Sequence, residues 1–149
     1  MFTKTLYAGW GDMDFNSHMR NTAYLDKSGD VRMLFFAEQG FPMPEFMRLR
    51  LGPVVMKDEL EYFKEIKLLE PIEVSLQLAG LAEDGSRFLL VNEFHREDGK
   101  LAARVTSAGG WLDLAARRLT HPPVALLDAL QSLSRREGFV TLDSSLPAS

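Results

Sequence analysis

The chain has 149 residues, 46% hydrophobic and 26% charged, with a formal net charge of −4 and no cysteine. That is one ordinary domain, long enough to bury about 68–70% of its unfolded surface around a core and too rich in apolar side chains for a disordered segment. The acidic balance excludes sequence-independent nucleic-acid binding, which needs a basic surface, and the missing cysteines exclude disulfides, thiolate metal sites and thiol nucleophiles. No apolar run approaches the roughly 18 residues of a membrane span, and "MFTKTLYAGWGD" lacks the apolar stretch of a secretory signal, so the expectation is a cytoplasmic protein that contacts neither nucleic acid nor membrane.

In chain order, Lys4 to Trp10 form a strand candidate that leads into a polar stretch, "WGDMDFNSHMRN". Residues 22–39 contain no proline and set Leu25, Val31, Leu34, Phe35 and Phe36 where a helix buries them. Asn21 is the expected N-cap, Asp26 favours the positive end of the dipole, and Gly40 with Pro42 ends the helix. Gly29 in the helix middle costs roughly 1 kcal/mol relative to alanine, an expense that points to close backbone packing. From Leu51 onward the period becomes two: Ile72, Val74, Leu76 and Leu78 alternate with Glu73, Ser75 and Gln77, and Phe88, Leu90 and Phe94 oppose Arg87, Glu93 and His95. With "EDGS" at 83–86 and "EDGK" at 97–100 as tight turns, strands 72–82, 86–96 and 100–113 form an antiparallel meander, joined by a strand in 53–64. Pro122 and Pro123 open a second helix carrying Leu126, Leu127, Leu130 and Leu133, with Arg135 and Arg136 at its C-terminal end. Residues 1–138 then make one domain and 139–149 a flexible tail. The order of strand, long helix and strand meander is an α+β pattern, with the sheet wrapping the helix.

The polar stretch permits two readings. If residues 12–18 run extended, Asp12, Asp14, Asn16 and His18 share one face. In the structural reading Asp12 and Asn16 make Asx-turns, Ser17 or Asn21 caps the helix, and His18 is a satisfied polar residue. In the chemical reading a carboxylate sits beside a helix N-terminus whose free N–H groups hold developing charge on a carbonyl oxygen. Asp12, Asp14 and His18 also have the chemistry of metal ligands, without a convincing fourth group.

"WGDMDFNSHMRNTAYLD" resembles the opening of hotdog-fold acyl thioesterases of the 4-hydroxybenzoyl-CoA thioesterase type, and "VTSAGGWLDLAARRLTHPP" resembles that family's last long strand and the approach to its C-terminal helix. The resemblance spans residues 3 to about 137. It implies a hotdog fold: a long central helix wrapped by a five-stranded antiparallel sheet, plus a C-terminal helix. It implies hydrolysis of an acyl-CoA, or less readily an acyl-carrier-protein thioester, to acid and thiol. Asp14 matches the family's general base or nucleophile, Asp12 a structural partner, and the backbone N–H near Asn21 the oxyanion donor. "DFNSH" is similar to the aspartate, asparagine and histidine of plant acyl-carrier-protein thioesterases, which implies that Asn16 orients water or substrate and that His18 either assists proton transfer or only hydrogen-bonds the loop. Relatives with this histidine read "H.NN"; here Arg20 replaces the first asparagine. The chemistry requires no metal and no cofactor beyond the CoA of the substrate. Members assemble as homodimers with sites at the border, sometimes as homotetramers.

Tyr24, Leu25, Phe35, Phe36, Phe41, Phe46, Val55, Tyr62 and Phe63 are close enough in sequence to line an acyl slot, with Tyr24, Arg20 and Phe63 the expected substrate contacts. Arg48, Arg50, Lys64, Lys67, Arg87 and Arg104 are the cations available to CoA phosphates, without a phosphate-cradling glycine loop. Two other functions fit the same pattern: a noncatalytic acyl-CoA sensing domain, and a hotdog hydratase or dehydratase.

Overall fold

The computed structural model describes residues 1–147. Its elements are β1 (Phe2–Tyr7), α1 (Asn21–Glu38), α2 (Met43–Leu49), β2 (Leu51–Tyr62), β3 (Pro71–Ala82), β4 (Arg87–His95), β5 (Leu101–Asp113), β6 (Arg118–Thr120), α3 (Val124–Gln131) and β7 (Arg135–Leu142). The main sheet runs β1-β3-β4-β5-β2, all antiparallel. β6 extends β5, and β7 pairs parallel with β3. Five long strands thus curl around α1 as the α+β hotdog pattern requires.

Alternation fixes the inner face. Ile72, Val74, Leu76, Leu78, Phe88, Leu90, Phe94 and Val105 are fully or almost fully buried against α1, the burial being the main favourable term for the fold. The hairpins close through Gly85 and Gly99, whose φ of 75° and 82° lie where a Cβ is strained. Trp111 on β5 is completely buried among Phe36, Phe46 and Phe88, with ring centroids 5.7, 6.1 and 5.6 Å away, and its Nε1–H donates to Gly85 O at 3.0 Å.

Several local expectations are corrected. The first strand ends at Tyr7, and Trp10–Asp12 is a single 3₁₀ turn. Arg20, not Asn21, is the N-cap of α1, with Asn21 its first residue. Leu34 is 40% exposed, because Ala23, Tyr24, Ser28, Val31, Phe35 and Phe36 form the buried stripe. Gly29 is not closely packed: an added Cβ meets only the Arg32 Nη2 at 3.7 Å, an ordinary contact. The short helix α2 was not expected; it brings Phe46 onto Trp111. The C-terminal helix stops at Gln131, and Arg135 and Arg136 belong to β7. Residues 139–142 of the expected tail are therefore strand, and the chain beyond is clasped: Ser145 N donates to Ser86 Oγ at 2.9 Å, and Ser144 Oγ bonds the Asp84 carboxylate. Residues 148 and 149 of that expected tail lie outside the described residues. The physical reason is the open half-edge of β3: β1 covers 71–76, leaving 78–82 with unpaired backbone groups that β7 satisfies.

Candidate active site

The polar stretch does not run extended. Ser17 adopts φ 65°, and the chain folds back so that Asp14 N donates to His18 O at 2.8 Å and Met13 pairs with Met19. Asp14 Oδ1 closes this loop by accepting Asn16 N at 2.8 Å and His18 N at 3.1 Å. No hydrogen bond among the described residues uses Oδ2 of Asp14. Met19 N donates to Ile66 O at 2.9 Å and Arg20 N to Asp12 O at 2.8 Å, which deliver the chain to the start of α1.

A cavity of about 700 Å³ lies at this junction, lined by Asp14, His18, Met19, Arg20, Asn21, Tyr24, Tyr62, Phe63, Lys64 and Glu65. A second, of about 460 Å³, is lined by Trp10, Gly11, Met13, Asp14, Ser17, Arg20 and Leu68. Asp14 and Arg20 belong to both. Asp14 is solvent-exposed in the single chain, yet forms cavity wall and stands at the N-terminus of α1. At that terminus Thr22 N donates to Asn21 Oδ1 at 2.8 Å and Ala23 N donates to Arg20 O at 3.1 Å. The Asn21 N–H is engaged by no group among the described residues, the orphan donor that a helix start leaves.

Tyr24 forms the floor. It is 2% exposed and packs edge-on against Tyr62 and Phe94 at 5.5 and 5.2 Å. Burial pushes its phenol up to about 12, reinforced by Tyr62 and by the charges of Asp14 and Glu70. The bulge in β2 between Val55 and Lys57 shifts the register so that Tyr62, opposite Ala103, meets Tyr24 from the inner face. Phe63 lines the same cavity under the Arg104 guanidinium, 5.4 Å from the ring centroid.

The expected residues therefore separate. Asp14, His18, Asn21, Arg20, Tyr24 and Phe63 come together; the Asn16 side chain lines neither cavity. Asp12 is tied elsewhere: its Oδ2 accepts Gly9 N at 2.7 Å and pairs with the Lys27 ammonium at 2.9 Å. Burial alone raises the Asp12 carboxyl, but the Lys27 and Gly9 hydrogen bonds and the nearby cations outweigh it and hold the group below its ordinary value. Among the described residues no group of three or more carboxylates and histidines is arranged to hold a metal ion. Arg20 folds back, its Nε donating to Thr22 Oγ1 at 2.8 Å and its Nη1 to Gly11 O. Of the cations considered for phosphates, Lys64 alone lines the larger cavity with Arg20; Arg48 and Arg104 are paired with Glu45 and with Glu93 and Glu61.

Two contributors were missed. Glu65 pairs with His18 Nε2. Lys27 clamps the loop through Asp12. Glu65 lies 47 residues after His18 and carries no local motif; Lys27 could have been found two helical turns after Arg20, where a cation faces back along the helix.

A family model described as the thioesterase-like superfamily matches residues 8–130. No curated protein matches the sequence. Among solved structures the chain is similar to a Staphylococcus aureus protein in complex with CoA, at 23% identity, TM-score 0.80, covering 87% of this chain and 81% of the other. It is similar to 1,4-dihydroxy-2-naphthoyl-CoA thioesterase from Synechocystis, at 15% identity and TM-score 0.78, covering 89% and 96%. It is also similar to a probable thioesterase from Escherichia coli, at 17% identity and TM-score 0.75, covering 91% and 100%. These likenesses show a shared fold.

Proposed function

The chain belongs to the thioesterase-like superfamily, as the match over residues 8–130 shows, and from that premise we propose that it hydrolyses acyl-CoA thioesters with Asp14 as general base. The observation that carries this reading is the pairing of a carboxylate having one oxygen outside the loop's hydrogen bonds with the unengaged Asn21 N–H at the α1 start, both on one cavity. A thioester carbonyl set between them meets a base for water on one side and a donor for the developing oxyanion on the other. Such a donor is worth roughly 2.7–4 kcal/mol at the transition state. A carboxylate at this place accepts a proton from the attacking water as general base. His18, held by Glu65, lines the same cavity. Arg20 and Lys64 supply cations for the CoA side of the substrate, and the complex of a similar fold with CoA supports that carrier over an acyl-carrier protein.

The assembly proposed is a homodimer, in which a second copy covers the outer edge of β2. That strand is 12 residues long and pairs only with β5 among the described residues, with Val55, Met56 and Tyr62 of it 39, 56 and 54% exposed. Long bare edges of this kind invite pairing. Sedimentation that finds only single chains contradicts it. No helix among the described residues is long and apolar enough to cross a membrane; a cytoplasmic setting remains the proposal.

The test is thiol release from a panel of aliphatic and aromatic acyl-CoA and acyl-carrier-protein thioesters. Turnover of acyl-CoA is expected. Tight binding of acyl-CoA without thiol release assigns the chain to sensing instead, and hydration of an enoyl-CoA without release assigns it to the hydratases.

A further inference from the structure

The segment "FKEIKLLE", residues 63–70, joins β2 to β3 and is neither helix nor strand, yet it supplies Phe63, Lys64 and Glu65 to the larger cavity. Backbone outside helix and sheet keeps its place through the partners that its N–H and C=O groups find. At one end Phe63 N and Lys64 N donate to Ala102 O at 2.8 and 3.0 Å. Further on, Ile66 O accepts Met19 N at 2.9 Å and Leu69 N donates to Ala8 O at 2.7 Å. Between these anchors stands Glu65, whose carboxylate pairs with His18 Nε2. Among the described residues the Glu65 backbone makes one hydrogen bond: its carbonyl accepts Nη1 of Arg96 at 3.4 Å, from 31 residues further along the chain.

Arg96 follows β4 directly and opens the turn to β5, where its N donates to Lys100 O at 2.9 Å and its O accepts Gly99 N at 2.9 Å. From that braced turn the guanidinium meets three groups at once. Nη1 takes Glu65 O, Nε lies 3.6 Å from Glu70 Oε2, and Nη2 lies 3.1 Å from Asp98 Oδ2. Nε is buried, and the Glu70 side chain is 16% exposed. Glu70 reaches toward the cavity floor, since its charge adds to the upward push on the Tyr24 phenol. Only a planar fork of five N–H donors satisfies a carbonyl and two carboxylates together; a lysine ammonium is a point charge on a flexible stem. Arg96 itself lines neither cavity. We propose that Arg96 is a positioning residue of the site, which fixes the Glu65 backbone so that the Glu65 carboxylate holds the His18 ring in place. The kinetic consequence rests on the hydrolytic reading above; the placement of His18 does not.

Arg96→Lys keeps a cation beside Glu70 and Asp98 and loses the fork, so the melting temperature is expected to stay within about 3 °C of wild type. In acyl-CoA hydrolysis R96K is expected to lower kcat about fivefold. The double variant E65Q/R96K should stay within about twofold of E65Q alone, because a residue that acts through the Glu65 carboxylate has nothing left to act on once that group is gone. The independent readout is the ¹H–¹³C spectrum of histidine-labelled protein, with the His18 ring signal assigned by its loss in H18N. R96K and E65Q are expected to move that signal in the same direction while the His121 signal stays. Wild-type kcat in R96K would overturn the proposal, as would losses that multiply in the double variant or a His18 signal that R96K leaves unmoved. Glu70→Gln reproducing the kinetic loss would place the effect in the Glu70 ion pair and overturn it too. If no thioester is hydrolysed but the His18 signal still follows Arg96, the hydrolytic reading fails and the positioning role stands.

Discussion

Asp14 closes its loop and is the proposed base, and replacing it with asparagine or alanine pulls the two roles apart. Oδ1 accepts two backbone N–H groups, from Asn16 and His18, in an exposed loop. Net hydrogen bonds are worth about 0.5–1.5 kcal/mol each, and exposure puts these at the low end, so Asp14→Ala is expected to cost on the order of 1–2 kcal/mol. For a domain of this length each kcal/mol lowers Tm by roughly 2–4 °C. Asp14→Asn keeps one acceptor oxygen, so the loop survives and Tm moves by less than about 2 °C. Neither variant can take a proton from water, and both are expected to lose on the order of 10²–10⁴-fold in kcat. The signature is equal kinetic loss with unequal loss of stability. Thiol release at saturating acyl-CoA and scanning calorimetry on the same preparations read it. Asparagine turning over at the wild-type rate would refute the reasoning, because the loop would be intact and the base unnecessary.

Lys27→Met is expected to cost about 1–3 kcal/mol, between the values of exposed and buried pairs, since it strands the Asp12 carboxylate, whose side chain is 24% exposed. Asp12 titrates below its ordinary 3.8 in the folded chain, so the pair stabilises above that pH and its contribution is lost as pH falls through the depressed value; denaturation curves of wild type and K27M should converge in strong acid. Tyr24 has the opposite sense: with its phenol pushed up to about 12 from 10.0, the fold binds the proton more tightly than the unfolded chain. Stability is then full below pH 10 and falls between about 10 and 12, by on the order of 2 kcal/mol, a slope that Tyr24→Phe should remove in urea titrations at stepped alkaline pH. Glu65→Gln should lower kcat by about tenfold, because it releases the His18 ring from the partner that orients it; a changed KM at unchanged kcat would place Glu65, which lines the same cavity, in binding instead.

The strands and the central helix were legible because burial has one period in each. The sequence of β3 and β4 alternates well enough that Ile72, Val74, Leu76, Phe88, Leu90 and Phe94 were all assigned to the buried face, and they are fully or almost fully buried, while Ser75 and Val91, which the alternation puts on the other face, are buried as well. α1 blurs the same signal: Leu34 is apolar and exposed, whereas Ser28 is polar and 1% exposed. What could not be read locally depends on distant backbone. β7 forms because β1 is too short to cover β3, a fact about the length of another strand. The loop conformation turns on a left-handed Ser17, a residue with no special freedom there, held by contacts that Asp14 makes on both sides of it. Glu65 reaches His18 only after Met19 has been tied to Ile66 by a backbone hydrogen bond across 47 residues.

That dependence explains why the structural and the proposed chemical reading of the polar stretch fall on different atoms. The structural reading assigned Asp12 and Asn16 to Asx-turns, whereas the observed turn acceptor is Asp14, whose Oδ1 accepts Asn16 N, and no hydrogen bond among the described residues uses the Asn16 side chain. Asp12 is wholly structural, with Gly9 and Lys27 on it; Asp14 commits Oδ1 to the loop. A base that moved freely would lose the near-attack geometry that gives proximity its effect. Anchoring one oxygen of a carboxylate in backbone N–H bonds orients the second without removing its charge. The polar groups at residues 10–21 divide between two tasks: Asp12 and Arg20 tie the turn through Gly9, Lys27, Gly11 and Thr22, and Asp14 closes its loop through Oδ1 beside the open helix end.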